Sequence, residues 1–208
     1  MFEEAGLRAV PTQRSRRRAS LSDVIGAQTF GAKGVVGAGA PFGVIEAKRF
    51  KALIERARTI GANSLRLTPW RAFLVAGIDP RLAPALVAFC AELGFIVDSH
   101  DPRLRAVACP GAPACIHAHR RLHEDAARWA ALLPEGDGVA LHVSGCAKGC
   151  ARPRPTAATL TATETGYDLI LGGTAGDHPA RRGLSSAAVA EALIGDACRI
   201  FAGERLSA

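Results

Sequence analysis

The sequence predicts an α+β protein in which strands and helices are intermixed, and three stretches carry this prediction. Residues 34–47, "GVVGAGAPFGVIEA", are typical of a glycine-rich strand followed by a turn at Pro41. From Glu46 to Ile60, apolar side chains recur at spacings of three and four, which indicates an amphipathic helix that Gly61 ends. Residues 138–146, "GVALHVSGC", alternate as a strand does. Elements mixed in this order indicate α+β or α/β-like architecture.

The remaining elements divide the chain into three segments. Residues 1–30 have clustered arginines and no sustained period, so they are predicted to form a basic flexible leader. A first unit follows over 31–78 and includes a strand from Phe73 to Ala76. A second unit covers 79–208. It is predicted to contain a helix over 84–93, a strand at "FIVDS", a long helix over 114–133, strands at "GVALHVSGC" and "YDLILGG", and a last helix that Ser185 or Ser186 caps and that reaches about Ala202.

Composition and charge exclude several classes of function. No apolar stretch approaches the roughly 20 residues that span a bilayer, so no membrane association is expected. The first 20 residues lack the apolar region of a secretory signal, and we expect a cytoplasmic protein. The net charge is +7, but aromatic residues make up only 5% and leave little for base stacking, so no nucleic-acid partner is expected. A polycarboxylate ligand or an acidic protein partner suits this charge equally well.

Four of the six cysteines form two pairs. Cys109 and Cys115 lie in "ACPGAPAC", and Cys146 and Cys150 lie in "SGCAKGC". In a chain without an export signal, such pairs more often bind metal or do chemistry than form disulfides. Four thiolates suit zinc or an iron–sulfur cluster, and the five-residue gap of the first pair counts against structural zinc. Four unrelated cysteines are the remaining alternative.

The residues around these pairs also fit a cluster. Gly145 and Gly149 would let backbone N–H groups approach cluster sulfurs. A helix that begins just after Cys115 would direct its positive end toward an anionic cluster. The other two cysteines, Cys90 and Cys198, lie on apolar helical faces and are interpreted as core residues.

The motifs resemble those of the nitrite/sulfite reductase superfamily and, within it, of the precorrin-3B synthase group. The resemblance covers about residues 34–200 and rests on "PFG" at 41–43, "LRLTPWR" at 65–71, "ACPGAPAC" at 108–115 and "HVSGCAKGCARP" at 142–153. It implies a ferredoxin-like half-domain over 31–78, followed by a 4Fe-4S domain of the sirohaem type over 79–208. It also implies that Cys109, Cys115, Cys146 and Cys150 hold a 4Fe-4S cluster, with Cys150 nearest the tetrapyrrole.

The resemblance to this group implies oxygen-dependent hydroxylation of precorrin-3A and γ-lactone formation in cobalamin biosynthesis. The alternatives are half of a sirohaem-dependent nitrite or sulfite reductase, a non-catalytic cluster- or tetrapyrrole-binding module, and a zinc-stabilised binding domain. Guanidinium groups bind carboxylates bidentately, so Arg66 and Arg71 are candidates for the carboxylate arms of a tetrapyrrole. Lys148 could meet a carboxylate or offset the charge of a cluster. Solvated surface positions are the alternative for all three, and no catalytic residue is assigned.

Two histidines of the predicted long helix need separate treatment. His119 and His123 are four residues apart, so they would share one helix face and could share a non-haem iron, which is associated with the precorrin-3B synthase group. Such iron usually takes a carboxylate as well, and Glu124 and Asp125 would point to other faces. A solvated polar helix face is therefore the favoured interpretation. His142 is predicted to face away from the buried side chains of its strand, and no role is assigned to it.

The family pattern also predicts a partner. Its members are normally about twice as long and consist of two similar halves, of which this chain resembles the second. A half on its own would expose an apolar face and an unpaired strand edge. We therefore expect a second copy of the chain or a separately encoded first half, and the alternative is that the sequence is a truncated gene product. The sequence does not identify the electron donor.

Overall fold

The computed structural model describes residues 22–201, and these residues form two β-sheets that each pack against helices. The strands are β1 (Gly26–Phe30), β2 (Lys33–Gly39), β3 (Ser64–Leu67), β4 (Ala72–Ile78), β5 (Ala106–Ala108), β6 (Leu141–Ser144), β7 (Thr156–Ala162), β8 (Tyr167–Gly173) and β9 (Arg181–Leu184). The helices are α1 (Ala47–Thr59), α2 (Ala83–Glu92), α3 (His123–Ala130), α4 (Ser186–Gly195) and α5 (Ala197–Phe201). The predicted α+β class is confirmed.

The first sheet is antiparallel and has the strand order β1-β2-β4-β3. It shares a hydrophobic core with α1 and α2, in which Val36, Leu53, Val75 and Leu86 are buried. Cys90 is also buried in this core, and burial raises the pKa of its thiol to about 12. Its predicted role as a core residue is therefore confirmed, whereas the side chain of Cys198 lies outside the part of the chain that the structure describes.

The second sheet is mixed and has the order β5-β6-β7-β8-β9. Strands β5, β6 and β7 run parallel, and β8 and β9 complete the sheet in antiparallel pairs. In its core the rings of Trp129 and Tyr167 meet edge to face at 4.8 Å. The Tyr167 hydroxyl donates to the Asp125 carboxylate at 2.7 Å, and Trp129 Nε1 donates to the Ser186 carbonyl at 3.2 Å. These bonds fix α3 against the sheet and against the start of α4.

Part of the segment predicted as a leader is folded. Residues 26–30 form β1, which pairs with β2 from Gly26↔Gly37 to Phe30↔Lys33. The turn between them contains Gly31 at φ 59°, a conformation that glycine adopts without strain. This edge strand is short and largely exposed, so it lacks the apolar alternation by which strands are recognised. The rest of the predicted leader, residues 1–21, lies outside the described residues.

The first unit extends past the boundary predicted at residue 78. Helix α2 packs on the first sheet, and Ile96 pairs with Gly39 through two backbone hydrogen bonds of 2.7 and 2.8 Å. Leu86, Cys90 and Phe95 belong to the core of the first sheet. The first unit therefore ends near residue 97 rather than 78.

The predicted long helix over 114–133 is shorter than expected. Only His123–Ala130 is helical, and residues 114–122 form turns and bends. The backbone N–H of Ala112 donates to the Arg120 carbonyl, and that of His119 donates to the Gly145 carbonyl at 3.0 Å. Because these bonds replace the i to i−4 pattern, the segment becomes a loop held against residues 144–150.

The C-terminal helix begins as predicted but is divided in two. The Ser185 side chain accepts the Ala188 N–H at 3.1 Å and caps α4. Helix α4 ends at Gly195 and α5 follows after a break, while Ala202 lies beyond the described residues. Within residues 22–201, no helix has the length and apolar character needed to cross a membrane.

Candidate functional site

The two cysteine pairs lie on loops that begin at the same edge of the second sheet. Strands β5 and β6 are parallel and adjacent, with Ala108 paired to Val143. Cys109 comes directly after β5, and Cys146 comes two residues after β6. Because the carboxyl ends of parallel strands meet at one edge of a sheet, the loop over 109–122 and the loop over 145–155 are brought together there.

Gly145, in the second loop, forms two hydrogen bonds to the first loop. Its backbone N–H donates to Cys109 Sγ at 3.1 Å, and its carbonyl accepts the His119 N–H at 3.0 Å. A Cβ atom at this position would lie 2.6 Å from Ala118 Cβ, a separation that real side chains do not reach. Only glycine therefore fits, and its N–H holds the Cys109 sulfur against the second loop. The N–H of Gly145 therefore lies against a cysteine sulfur, as predicted, while the role of that sulfur as a cluster ligand stays a prediction.

The four thiols differ in exposure. Cys109 is buried, Cys115 and Cys146 are half-buried, Cys150 is exposed, and all four are free. No group of three or more His, Cys, Asp or Glu side chains within residues 22–201 lies close enough together to hold a metal ion. Among the described residues, the four thiols are therefore not gathered into a metal-binding group in this structure. Four free thiols on two touching loops are a donor set whose chemistry suits a larger, sulfur-bridged iron cluster.

His142 is the residue of this region that sequence reasoning missed. Its side chain has an exposure of 0%, and neither ring nitrogen has a hydrogen-bond partner among the residues that the structure describes. Burial, with the charges of Arg152 and Arg71 nearby, lowers the pKa of its imidazole to about 4. The prediction that His142 faces away from the buried side chains was wrong, because every residue of β6 is buried.

The three basic residues predicted to meet a tetrapyrrole lie in different places. Arg71 is half-buried, and its Nη2 donates to the Ala151 carbonyl at 3.5 Å, next to Cys150. Lys148 is exposed in the turn between the second pair of cysteines. Arg66 is exposed on the edge strand β3, where it pairs with Leu74. The structure therefore brings Arg71 and Lys148, but not Arg66, to the cysteine loops.

The two histidines of the predicted helix do not share a face. His123 stacks on Phe42 with ring centroids 5.5 Å apart, and its Nε2 lies 3.1 Å from the Cys109 carbonyl oxygen. His119 is exposed and lines a separate cavity of about 490 Å³ with His178 and Arg182. The interpretation of a shared helix face, whether for iron or for solvent, was therefore wrong, because residues 114–122 are not helical.

A second cavity lies between the two units. It has a volume of about 710 Å³, and Phe42, Trp70 and Arg71 line it from the first unit. Arg105 and Val139 line it from the second unit, where they precede β5 and β6. This cavity therefore opens at the amino ends of the parallel strands, whereas the cysteine loops lie at their carboxyl ends.

Comparison with known proteins identifies the class of the first unit. Residues 31–93 match the model of the nitrite/sulfite reductase ferredoxin-like half domain. The match ends at residue 93, close to residue 97, where the packing of the hydrophobic core places the end of the first unit. The predicted resemblance to the nitrite/sulfite reductase superfamily is therefore confirmed.

Individual relatives make the resemblance more specific. The chain is 35% identical over 147 residues to a precorrin-3B synthase from Sinorhizobium sp. The aligned residues make up 70% of this chain and 32% of that protein. It is 34% identical over 122 residues to the sulfite reductase [NADPH] hemoprotein beta-component of Acidithiobacillus ferrooxidans, covering 53% of this chain and 22% of that protein. The predicted resemblance to precorrin-3B synthase is confirmed, and the chain spans about a third or less of the length of these relatives.

A solved structure supports the fold. The structure of Mycobacterium tuberculosis NirA protein matches with a TM-score of 0.64 at 18% identity. The match covers 82% of this chain and 36% of that one. At this identity the similarity establishes the architecture, in which a ferredoxin-like half domain precedes the sheet that carries the cysteine loops.

Proposed function

We propose that this chain is an iron–sulfur oxidoreductase of the precorrin-3B synthase type, which hydroxylates precorrin-3A and forms a γ-lactone in cobalamin biosynthesis. The proposed reaction uses oxygen and a separate electron donor. The 35% identity to a precorrin-3B synthase over 70% of the chain supports this assignment. The observation that carries it is the meeting of the two cysteine loops at one edge of the second sheet.

The residues of those loops fit a 4Fe-4S cluster with Cys109, Cys115, Cys146 and Cys150 as its ligands. Such a cluster, when bound, transfers single electrons. The Gly145 N–H bond to Cys109 Sγ stabilises negative charge on that sulfur. The exposed Cys150 is the ligand that a tetrapyrrole could approach from solvent.

The tetrapyrrole would be held by its carboxylate arms. Arg71 lies beside the Cys150 loop with a half-buried guanidinium, and burial lowers its pKa. Lys148 extends from the same loop into solvent and can meet a carboxylate there. Arg66 lies on the edge strand β3, so we propose that it contacts ligand or partner from that edge.

We also propose that the active protein contains a partner that covers exposed apolar side chains of this chain. The partner is either a second copy of the chain or a separately encoded first half. The exposed Leu67 on β3 and Ile116 beside Cys115 are apolar positions that such a partner could cover. Sedimentation at micromolar concentration tests the first option, since a monomer with its cluster intact would contradict self-association.

A sirohaem-dependent nitrite or sulfite reductase half is the second candidate. The identity to sulfite reductase hemoprotein components and the fold shared with NirA favour it. Sirohaem has strong visible absorption bands that an iron–sulfur cluster lacks, so colour separates the two candidates. A non-catalytic module that binds a cluster or a tetrapyrrole would show the cofactor without turnover.

The first experiment is an anaerobic absorption spectrum of the purified chain, with iron and acid-labile sulfide measured on the same sample. We expect equal iron and sulfide, about four of each per chain, without haem bands. Cys146→Ser should lose iron and sulfide, whereas Cys90→Ala, which alters a buried thiol of the first unit, should keep both. Zinc, or no iron under strictly anaerobic handling, would overturn the cluster assignment.

The second experiment measures conversion of precorrin-3A in the presence of oxygen and a chemical reductant. It is run on the chain alone and on the chain mixed with a first half from a precorrin-3B synthase. Hydroxylated lactone in either sample supports the proposal. A cluster-loaded protein that gives no product in both samples leaves the binding module as the better description.

A further inference from the structure

The cavity between the two units has the size and the walls of a site for a planar aromatic ligand. Its volume of about 710 Å³ lies within the range of about 300–1,000 Å³ that small-molecule sites occupy. Trp70 and Phe42 supply aromatic surface from the first unit. Apolar side chains of both units add to the lining: Ile96, Leu133 and Val139. Ligand sites lie preferentially where two domains meet, as this cavity does.

Trp70 is held at the cavity by the turn between β3 and β4. The Thr68 hydroxyl accepts the backbone N–H groups of Trp70 and Ala72, each at 3.3 Å. The Thr68 N–H donates to the Ala72 carbonyl at 3.0 Å. Arg71, within this turn, has a φ of 59°, in the left-handed region that non-glycine residues seldom adopt and that is found at ligand sites. The half-buried indole is therefore presented to the cavity by a hydrogen-bonded turn.

The edge of the second sheet supplies a main-chain acceptor. Strand β5 ends the sheet, with β6 on one side. The Arg105 carbonyl accepts the Ala140 N–H at 2.8 Å, so it faces β6. Consecutive residues of a strand direct their backbone polar groups to opposite sides, so the carbonyl of Ala106 points to the open side of β5. Because Ala106 also lines the cavity, a ligand with ring N–H groups can donate to this carbonyl.

The charges around the cavity favour a ligand with little net charge. Four acidic side chains and three arginines line it among the described residues: Asp23, Asp101, Glu135, Asp137, Arg71, Arg103 and Arg105. Arg103 is already paired with Asp101, and the exposed Glu135 and Asp137 place negative charge at the rim. Like charges brought together at a binding surface are costly. A ligand with many carboxylates is therefore disfavoured here, whereas an uncharged ring is not.

Strand β5 connects the cavity to the first cysteine loop. Ala106 lines the cavity, and Cys109 follows three residues later, a distance of about 10 Å along an extended strand. A second connection runs through Phe42, whose ring stacks on His123 with centroids 5.5 Å apart. His123 Nε2 in turn lies 3.1 Å from the Cys109 carbonyl oxygen. A redox-active ring in the cavity would therefore lie close to the Cys109 end of the proposed cluster.

We propose that the cavity between the two units binds an isoalloxazine, the ring system of flavins, and that the reduced ring is the electron donor. The role of donor rests on the proposed function, whereas the binding site rests on the cavity alone. The ring would lie against Trp70, and its pyrimidine N–H would donate to the Ala106 carbonyl.

The electrons of this step balance. The proposed hydroxylation consumes O₂, two electrons and two protons, with one oxygen atom going to the product and the other to water. A reduced flavin supplies two electrons and two protons and becomes oxidised flavin. It releases the electrons singly, as a 4Fe-4S cluster requires of its donor.

The first test measures binding of oxidised flavin mononucleotide to the full chain, with and without iron, by quenching of flavin fluorescence. Trp70→Leu removes an aromatic wall and Val139→Trp fills the cavity. Phe30→Leu is the matched control, because Phe30 is an exposed aromatic residue of β1 that does not line the cavity. We expect the first two variants to weaken binding at least tenfold and Phe30→Leu to change it less than twofold. Thermal unfolding of each variant confirms that it is folded, and riboflavin should bind as the mononucleotide does, because the ring carries the binding.

The second test adds reduced flavin mononucleotide to iron-loaded protein without oxygen and follows the bleaching of the visible absorption of the cluster. At the same flavin concentration we expect Trp70→Leu to be reduced at least tenfold more slowly than the wild type. Dithionite, which needs no flavin site, should reduce both proteins equally. Flavin that binds without reducing the cluster would overturn the donor role.

The remaining outcomes separate this site from the proposed function. If the wild type binds no flavin, or all variants bind it equally, the site is overturned while the proposed function stands. If uroporphyrin displaces the flavin, the cavity is a tetrapyrrole site and the flavin assignment is overturned, again without loss to the proposed function. If protein that assembles no cluster still binds flavin through Trp70, the site is supported while the proposed function fails.

Discussion

Replacing Gly145 by alanine should separate the two cysteine loops. The added Cβ would lie 2.6 Å from Ala118 Cβ and 3.3 Å from Cys109 Sγ. Ala118 Cα is only 3.2 Å away, so the backbone of the first loop must move and not merely a side chain. Overpacking of this kind costs about 1–3 kcal/mol, and loss of the N–H bond to Cys109 Sγ adds about 1 kcal/mol.

The sum of about 2–4 kcal/mol corresponds to a fall of roughly 4–16 °C in the melting temperature of a domain of this size. Differential scanning calorimetry measures that fall, and iron and sulfide assays on anaerobically purified protein measure the loss of cluster. Gly195→Ala is the control, because a Cβ at Gly195 meets no atom within 4 Å and its φ is not positive. Gly145→Ala protein that melts with the wild type and keeps its iron would refute the role assigned to this contact.

Three further predictions concern single side chains. His142→Leu should raise the free energy of unfolding by about 1–3 kcal/mol in denaturant titration, because it removes a buried ring whose nitrogens have no hydrogen-bond partner in the described structure. A lower free energy of unfolding in this variant would contradict that description of His142. Ser185→Ala should lower stability by about 1 kcal/mol through loss of the bond to the Ala188 N–H, and Ser185→Asn should recover it, as measured by thermal unfolding. In native protein without metal at mildly alkaline pH, iodoacetamide should modify the exposed Cys150 and spare Cys90, whose raised pKa of about 12 keeps the thiol protonated; peptide mass spectrometry distinguishes the two.

The cysteine pairs could be chosen as candidate ligands from the sequence because the signal is local. The second pair follows an apolar run that ends in glycine, and that run is β6. The first pair follows the short strand β5, which pairs with β6. Residue type and spacing were therefore sufficient to choose the candidate ligands, whereas the meeting of their loops follows from the parallel pairing of β5 with β6, which the sequence did not predict.

The environment of His142 could not be predicted in the same way. Alternation along a strand identifies a solvent face only when one face of the sheet is open. Strand β6 lies between β5 and β7 and all four of its residues are buried, and the His142 ring lies against the turn that contains Gly149. The loop over 114–122 failed as a helix prediction for a related reason, since Gly145 accepts the N–H of His119 from a distant part of the chain.

The "PFG" turn has a consequence for any attempt to divide the chain. Phe42 belongs by sequence to the first unit, yet it is buried in the core of the second and stacks on His123, which contacts the Cys109 carbonyl. Its φ of 53° holds the ring in that orientation. A fragment that begins after residue 97 would therefore lack the Phe42 ring, which fills part of its hydrophobic core next to the first cysteine loop. Complementation between fragments cut at that point should depend on the aromatic ring at position 42.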